Sequence, residues 1–364
     1  MRTRNFSATV LLAALAIDCA TASAGDKEKD DHRFISASER KAAIKRAQVW
    51  RDTNLGAINM KLGPQGKGAF APDATVTCKY TKEAFAGATP KFGCLVSDDD
   101  RVKVRYGRDN NEIFAGVAAT RLLWALGFGA DVLYPVHVIC RGCPEALGGE
   151  RLPAGEMRFE FAAIERKMAG HEMEAPSVGP GWAWPELDDV DERAGGAPRA
   201  HRDALKLLAV MLQHTDNKPD QQKLLCVDKD TPKHKLANCQ STFMMVHDVG
   251  LTFGTATLSN SQDRSSANLK EWSRTPIWKD VQHCVANMPP SQTGTLVNPI
   301  ITEAGRKFLS DRLAQLTDEQ LIDLFTAARL GEKPGPKGEG GGAPADWAAT
   351  FKQKRDDIAA AKCF

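Results

Sequence analysis

The chain has 364 residues, with 48 Lys and Arg against 46 Asp and Glu and a formal net charge of +2. A balance this even creates no global field, which excludes a protein that holds nucleic acid or anionic lipid by bulk charge; any charged ligand needs a local site. Beyond the N-terminus no stretch reaches the ~20 apolar residues of a membrane span, and the length suits one large domain or two lobes.

Arg2 and Arg4, the apolar run Phe6–Ala16 and the triplet Ala22-Ser23-Ala24 have the pattern of a secretory signal, with cleavage expected after Ala24. The run is too short to span a bilayer. Cys19 follows the charged Asp18, where a lipid-attachment site wants a small residue, so lipidation is not expected. The expected destination is secreted or periplasmic. The eight cysteines left after cleavage, an even number, are expected to form four disulfides, although sequence alone leaves connectivity open. Proximity favours Cys78 with Cys94, Cys140 with Cys143 and Cys226 with Cys239, leaving Cys284 for Cys363.

Residues 25–33 are a charged lead-in. Ala37–Arg51 reads as a helix opened by a capping box, with Ser36 as N-cap and Glu39 reaching back. Thr75–Tyr80, Gly93–Ser97 and Val102–Tyr106 are short β-type runs between Gly, Pro and Asp clusters, as in an antiparallel meander. Asn111–Leu126 carries apolar residues at helical spacing and stops at Gly127, and Val132–Cys140 and Arg158–Arg166 are strand-like. Gly170–Pro198, rich in Gly, Pro, Trp and acids, is a long excursion, in which packing of Trp182 and Trp184 onto the body is favoured over an exposed lid. His201–Gln213 is an apolar helix, and Lys223–Val227 and Thr242–Val246 form a strand pair. From about Leu269 to Leu330 the periodicity is mainly helical, and a Gly/Pro linker, Lys333–Pro344, leads to a last helix. There is no internal repeat. A strand-rich half followed by a helix-rich half predicts an α+β protein with two lobes, residues 34–165 and 166–364.

The sharpest chemical signal is His214-Thr215-Asp216-Asn217-Lys218-Pro219-Asp220-Gln221, between a helix and a strand, with Asp248-Val249-Gly250 closing the next strand. Phosphoryl transfer needs one carboxylate to orient an acceptor hydroxyl and another to hold a metal against the phosphates; Asp216 and Asp248 supply the pair. The first segment resembles the kinase catalytic loop His-Arg-Asp-x-Lys-Pro-x-x-Asn, and the second its Asp-Phe-Gly. Upstream, Gly87-Ala88-Thr89-Pro90-Lys91 resembles the Gly-x-x-Pro-Lys phosphate loop of HipA-type serine/threonine kinases, and Ile164-Glu165-Arg166 resembles their hinge. The resemblance runs from about Phe85 to Gly250 and extends more loosely to phosphatidylinositol kinases and secretory-pathway kinases.

That resemblance implies a bilobed protein-kinase-like fold with a strand-rich N-lobe and a helical C-lobe. It implies that Asp216 and Lys218 serve the acceptor, that Asp248 and Gln221 hold Mg²⁺ or Mn²⁺, and that Gly87 and Lys91 cover the phosphates of ATP. Lys103 would contact phosphate, steadied by Glu112, and Glu165 would offer backbone groups to adenine. Alternation along the strand puts Arg105 on the same face as Lys103 and leaves the choice between them open. The acceptor, a hydroxyl on protein, lipid or glycan, is not specified. Three positions depart from the pattern: Gln221 stands for the metal-binding Asn, Thr215 for the Arg of the loop, and Val249 for the Phe. These departures keep open a second reading, an inactive pseudokinase or binding module. A third is disulfide exchange at Cys140-Arg141-Gly142-Cys143, but this motif ends a strand and runs into Pro144, the context of a structural bridge.

Overall fold

The computed structural model describes residues 34–333 and 341–363. The signal segment 1–24, the lead-in and most of the Gly/Pro linker lie outside the described residues.

The first half is built on strands β1 (Ala74–Thr81), β2 (Lys91–Ser97), β3 (Asp100–Tyr106), β4 (Val132–Arg141), β5 (Glu150–Arg151) and β6 (Met157–Arg166). Their order is β3-β2-β1-β4-β6-β5, and β3 also pairs with β6, so the sheet closes on itself. The expected meander is present in β1-β2-β3, whereas β1 runs parallel to β4. Closure buries one side of β1, β2, β3, β4 and β6 around Val76, Phe92, Val104, Val136, Val138 and Ile164. On β3 this commits Val102 and Val104 to the interior and sends Lys103 and Arg105 the other way. Helix α2 (Asn111–Leu126), capped by the Asn110 side chain and ended by Gly127 at φ 90°, packs on β4.

A second sheet is made by β7 (His171–Glu172), β8 (Gln222–Cys226) and β9 (Thr242–Val246). The β8–β9 pair is antiparallel, as the sequence implies, and the Cys226–Cys239 disulfide joins the end of β8 to the connecting loop. Around it lie α3 (Arg199–Leu212), the short helices α4 (Gln262–Ser265) and α5 (Leu269–Arg274), the small β10–β11 pair (Trp278–Asp280, Val285–Ala286), and helices α6 (Glu303–Leu313), α7 (Asp318–Ala327) and α8 (Pro344–Ala360). Phe253, Trp272, Phe325 and Trp347 form an aromatic cluster at their centre, with Trp272 and Trp347 stacked at 5.8 Å. Trp182 and Trp184 are buried, so the excursion packs onto the body.

Two segments are less helical in the structure than expected. The first, α1, covers Ala37–Lys45 with the expected capping box and then stops. Beyond it Gln48 is drawn into extended pairing with the second sheet, where its N–H donates to Thr242 O and Met244 N–H to Gln48 O, both at 2.9 Å, and Trp50 bridges to Phe128. Tertiary pairing there outweighs local helical propensity. The helix α1 also binds the excursion, through Arg40 and Glu186 at 2.5 and 2.8 Å. In the 269–330 segment, Pro276, Pro289, Pro290 and Pro299 remove backbone donors, and continuous helix resumes at Glu303.

All four cysteine pairs form as proximity suggests. Cys284–Cys363 spans 79 residues and ties the chain beyond α8 to the loop after β10. By the loop-closure account a link of that span stabilises by about 4 kcal/mol. Replacing both cysteines with Ser should lower the urea-unfolding free energy by about that amount; a loss below about 1 kcal/mol would show that the tail is held by packing alone.

Candidate functional site

The site begins on β3. Lys103 lies opposite Glu165 of β6 in register, and its Nζ is 2.5 Å from Glu165 Oε1. Arg105 is 3 % exposed, and its guanidinium reaches three carboxylates. It donates from Nε to Glu165 Oε2 at 3.2 Å, from Nη1 to Glu112 Oε2 at 3.0 Å and from Nη2 to Asp248 Oδ2 at 2.7 Å. These carboxylates come from a strand, the first turn of α2 and the segment after β9.

Lys103 and Arg105 take different carboxylates. The expected partnership of Lys103 with Glu112 is not formed: Arg105 pairs with Glu112, and Lys103 pairs with Glu165. Arg105 lies two residues farther along β3, level with the start of α2, whereas Lys103 faces the end of β6. The Glu165 backbone runs in mid-sheet, opposite both Lys103 and Leu133.

Asp248 and Asp216 are brought together by Gln221. The backbone oxygen of Gln221 accepts the amides of His247 at 2.8 Å and Asp248 at 3.3 Å, while its side-chain amide donates to Asp216 Oδ2 at 3.0 Å. Asp216 Oδ1 accepts from Asn260 at 3.3 Å, and Lys218 Nζ is 3.8 Å from Asp216 Oδ2. Glu112 also accepts from Thr89 and Gln262, each at 3.0 Å. Thr89 belongs to the Gly87–Lys91 turn, and Lys91 lies opposite Arg105 in the β2–β3 register. Gly87 has φ 86°, and a Cβ there would stand 2.9 Å from Lys91 Nζ. The glycine of Asp248-Val249-Gly250 also has a steric reason: a Cβ on it would come within 2.8 Å of the Glu112 side chain.

The charges act on one another. Burial alone would raise the Asp248 carboxyl, but Arg105 outweighs it by charge and hydrogen bond and holds Asp248 well below the usual carboxylate range. Burial would lower Arg105, and Asp248 and Glu165 reverse that, so its pKa rises. Glu112 is pushed up by burial and then by the Asp248 charge, and Asp216 is pushed up mainly by burial. Lys91 is pushed down, first by burial and then by Arg105.

Beside this cluster, between β3 and the β7–β9 sheet, lies a cavity of about 760 Å³. Lys103, Glu165 and His247 mark its polar side, and Met168, Leu225 and Met245 its apolar side. The sequence motifs assign no role to Thr89, Asn260, Gln262 or His247. Asn260 and Gln262 stand far from the motifs with no local pattern, while His247 is signalled only by its place beside Asp248.

His214, which opens the Asp216 loop, is buried, and neither ring nitrogen has a partner among the described residues. Burial pushes it down to about 4, against about 6.5 in an unfolded chain. The unfolded state therefore takes up the proton first on acidification. The contribution of neutral His214 is complete above about pH 6.5 and declines by roughly 3 kcal/mol as pH falls through the folded value. His214→Leu should flatten the dependence of urea-unfolding free energy on pH between about 7 and 4; a variant as steep as the parent would contradict this.

No protein-family model matches the sequence, and no curated protein matches it. Among solved structures, the proinflammatory kinase CtkA of Helicobacter pylori aligns with 80% of this chain and 95% of its own, at 9% identity and a TM-score of 0.40.

Proposed function

We infer that the chain is a kinase-like protein that binds a nucleoside triphosphate, ATP by preference, together with Mg²⁺ or Mn²⁺, and that it presents the terminal phosphate to a hydroxyl acceptor. The observation that carries this reading is the meeting of Asp248, Arg105 and Glu112 from three elements, with Asp216 linked to Asp248 through Gln221. In a bilobed arrangement the closed sheet is the upper lobe, the helical half the lower, and the cavity the nucleoside pocket between them.

Charge explains why a cation belongs to the reading. Arg105, Lys103 and Lys91 are matched by Glu165, Glu112 and Asp248, so the cluster has no surplus positive charge for a triphosphate. The donor set fits the missing charge. Asp248 Oδ1 accepts the Gly250 amide at 3.2 Å, and Gln221 can offer its amide oxygen while its nitrogen holds Asp216. A bound divalent cation supplies neutralisation of phosphate charge. Lys91 and the Gly87 turn cover the phosphates, Asp216 orients the acceptor hydroxyl, and Lys218 balances Asp216. The N-terminal signal and the four disulfides support an exported protein in an oxidising compartment.

One observation favours binding without transfer. Both oxygens of Asp216 already accept, from Gln221 and Asn260, so an acceptor hydroxyl must share or displace Asn260. Thermal unfolding with ATP and Mn²⁺ tests the binding common to both readings: at a hundredfold excess over Kd the ligand should stabilise by about 2.7 kcal/mol. Asp248→Asn should remove that shift, and an unchanged shift sinks the assignment. Release of labelled γ-phosphate, or its transfer, then separates a kinase from a binding module.

A further inference from the structure

The cavity's wall holds a constellation of which the nucleotide reading uses only Glu165, as counter-charge to Arg105 and Lys103. Asp131, just before β4, Glu165 at the end of β6, and His247 just after β9 each bring a donor atom to one point, all within 4.8 Å of one another. All three line the cavity. His247 Nδ1 is 2.7 Å from Asp131 Oδ2, and the Met168 amide donates to Asp131 Oδ1 at 2.7 Å, fixing that carboxylate. The His247 amide is fixed on Gln221 O. A second mixed cluster, Cys226, Asp228 and Cys239, is no rival, since its sulfurs are joined.

We propose that Asp131, Glu165 and His247 form a binding site for a divalent first-row transition-metal ion, separate from Asp248 and Gln221. Two carboxylates and one imidazole balance the ion's charge and give three protein ligands, leaving a position open to water or a ligand in the cavity. Imidazole selects Zn²⁺, Mn²⁺ or Co²⁺ over Mg²⁺, which prefers an all-oxygen shell. Donors bonded at about 2.1 Å in tetrahedral geometry stand about 3.4 Å apart, which lies between the 2.7 Å of the Asp131–His247 pair and the 4.8 Å that bounds the set. The Asp131–His247 pair therefore opens by less than an ångström as the ion replaces the proton between them, which leaves to solvent. Without the ion, the cationic place beside Glu165 is taken by Lys103 at 2.5 Å. Metal binding frees Lys103 toward the cavity.

The test uses the full chain without nucleotide, titrated with Co²⁺ and followed by its visible d–d absorption, with Zn²⁺ competition. One saturable site is expected, and His247→Ala and Asp131→Asn should each weaken it by at least about tenfold. Should His247→Ala fail to fold, Asp131→Asn decides, because Asn retains an acceptor for the Met168 amide. The exposed pair His283 and Asp280, also 2.7 Å apart, is the competing surface site. His283→Ala should leave the titration unchanged. The proposal is overturned if no saturable binding occurs, if His247→Ala binds like the parent, or if binding follows His283 instead. Loss of the ATP and Mn²⁺ shift with the Co²⁺ site intact would remove the nucleotide reading alone.

Discussion

The site depends on one buried guanidinium. Arg105 joins a strand of the closed sheet to the first turn of α2 and to the segment that follows the β8–β9 hairpin, by bonds of 2.7 to 3.2 Å. Removing such a charge leaves its carboxylates facing one another in a poorly solvated place, which costs several kcal/mol, whereas the intact network is close to neutral. Arginine suits the position because a planar fork can serve three acceptors at once, which the point charge of a lysine cannot. Lys103 and Lys91 then complete the balance from neighbouring positions.

Much of the site was legible because its parts are local. The helix, loop, hairpin and Asp-Val-Gly order around Asp216 and Asp248 can be read from spacing, and the hairpin brings the two aspartates together as the pattern implies. The capping box of α1 and three of the disulfides, with separations of 3 to 16 residues, were equally local, and Cys284–Cys363 followed by elimination. What could not be read is the pairing between elements distant in the chain. Strand alternation puts Lys103 and Arg105 on one face but says nothing of how far α2 begins along β3, and that distance decides which cation Glu112 meets. Helix ends failed for a related reason: Gln48 has its partners in β9, nearly 200 positions away, and periodicity does not see them.

The segment after Gly250 shows how far the site reaches beyond its motifs. Asn260 and Gln262, two residues apart, hold Asp216 and Glu112, carboxylates that belong to the loop after α3 and to α2. One short stretch therefore touches both sides of the cluster. Its local sequence, rich in Ser, Thr and Asn, reads as an ordinary polar loop.

Closure of the first sheet acts as a ruler. Because β3 is clamped by β2 on one side and β6 on the other, it has no free edge along which to slide. A shift of one residue would turn Lys103 and Arg105 into the barrel and Val102 and Val104 out of it, exchanging two charges for two hydrocarbons in a sealed interior. The apolar filling of the barrel thus sets the charge pattern outside it, and a mutation that loosens that filling would blur the position of the guanidinium without touching it.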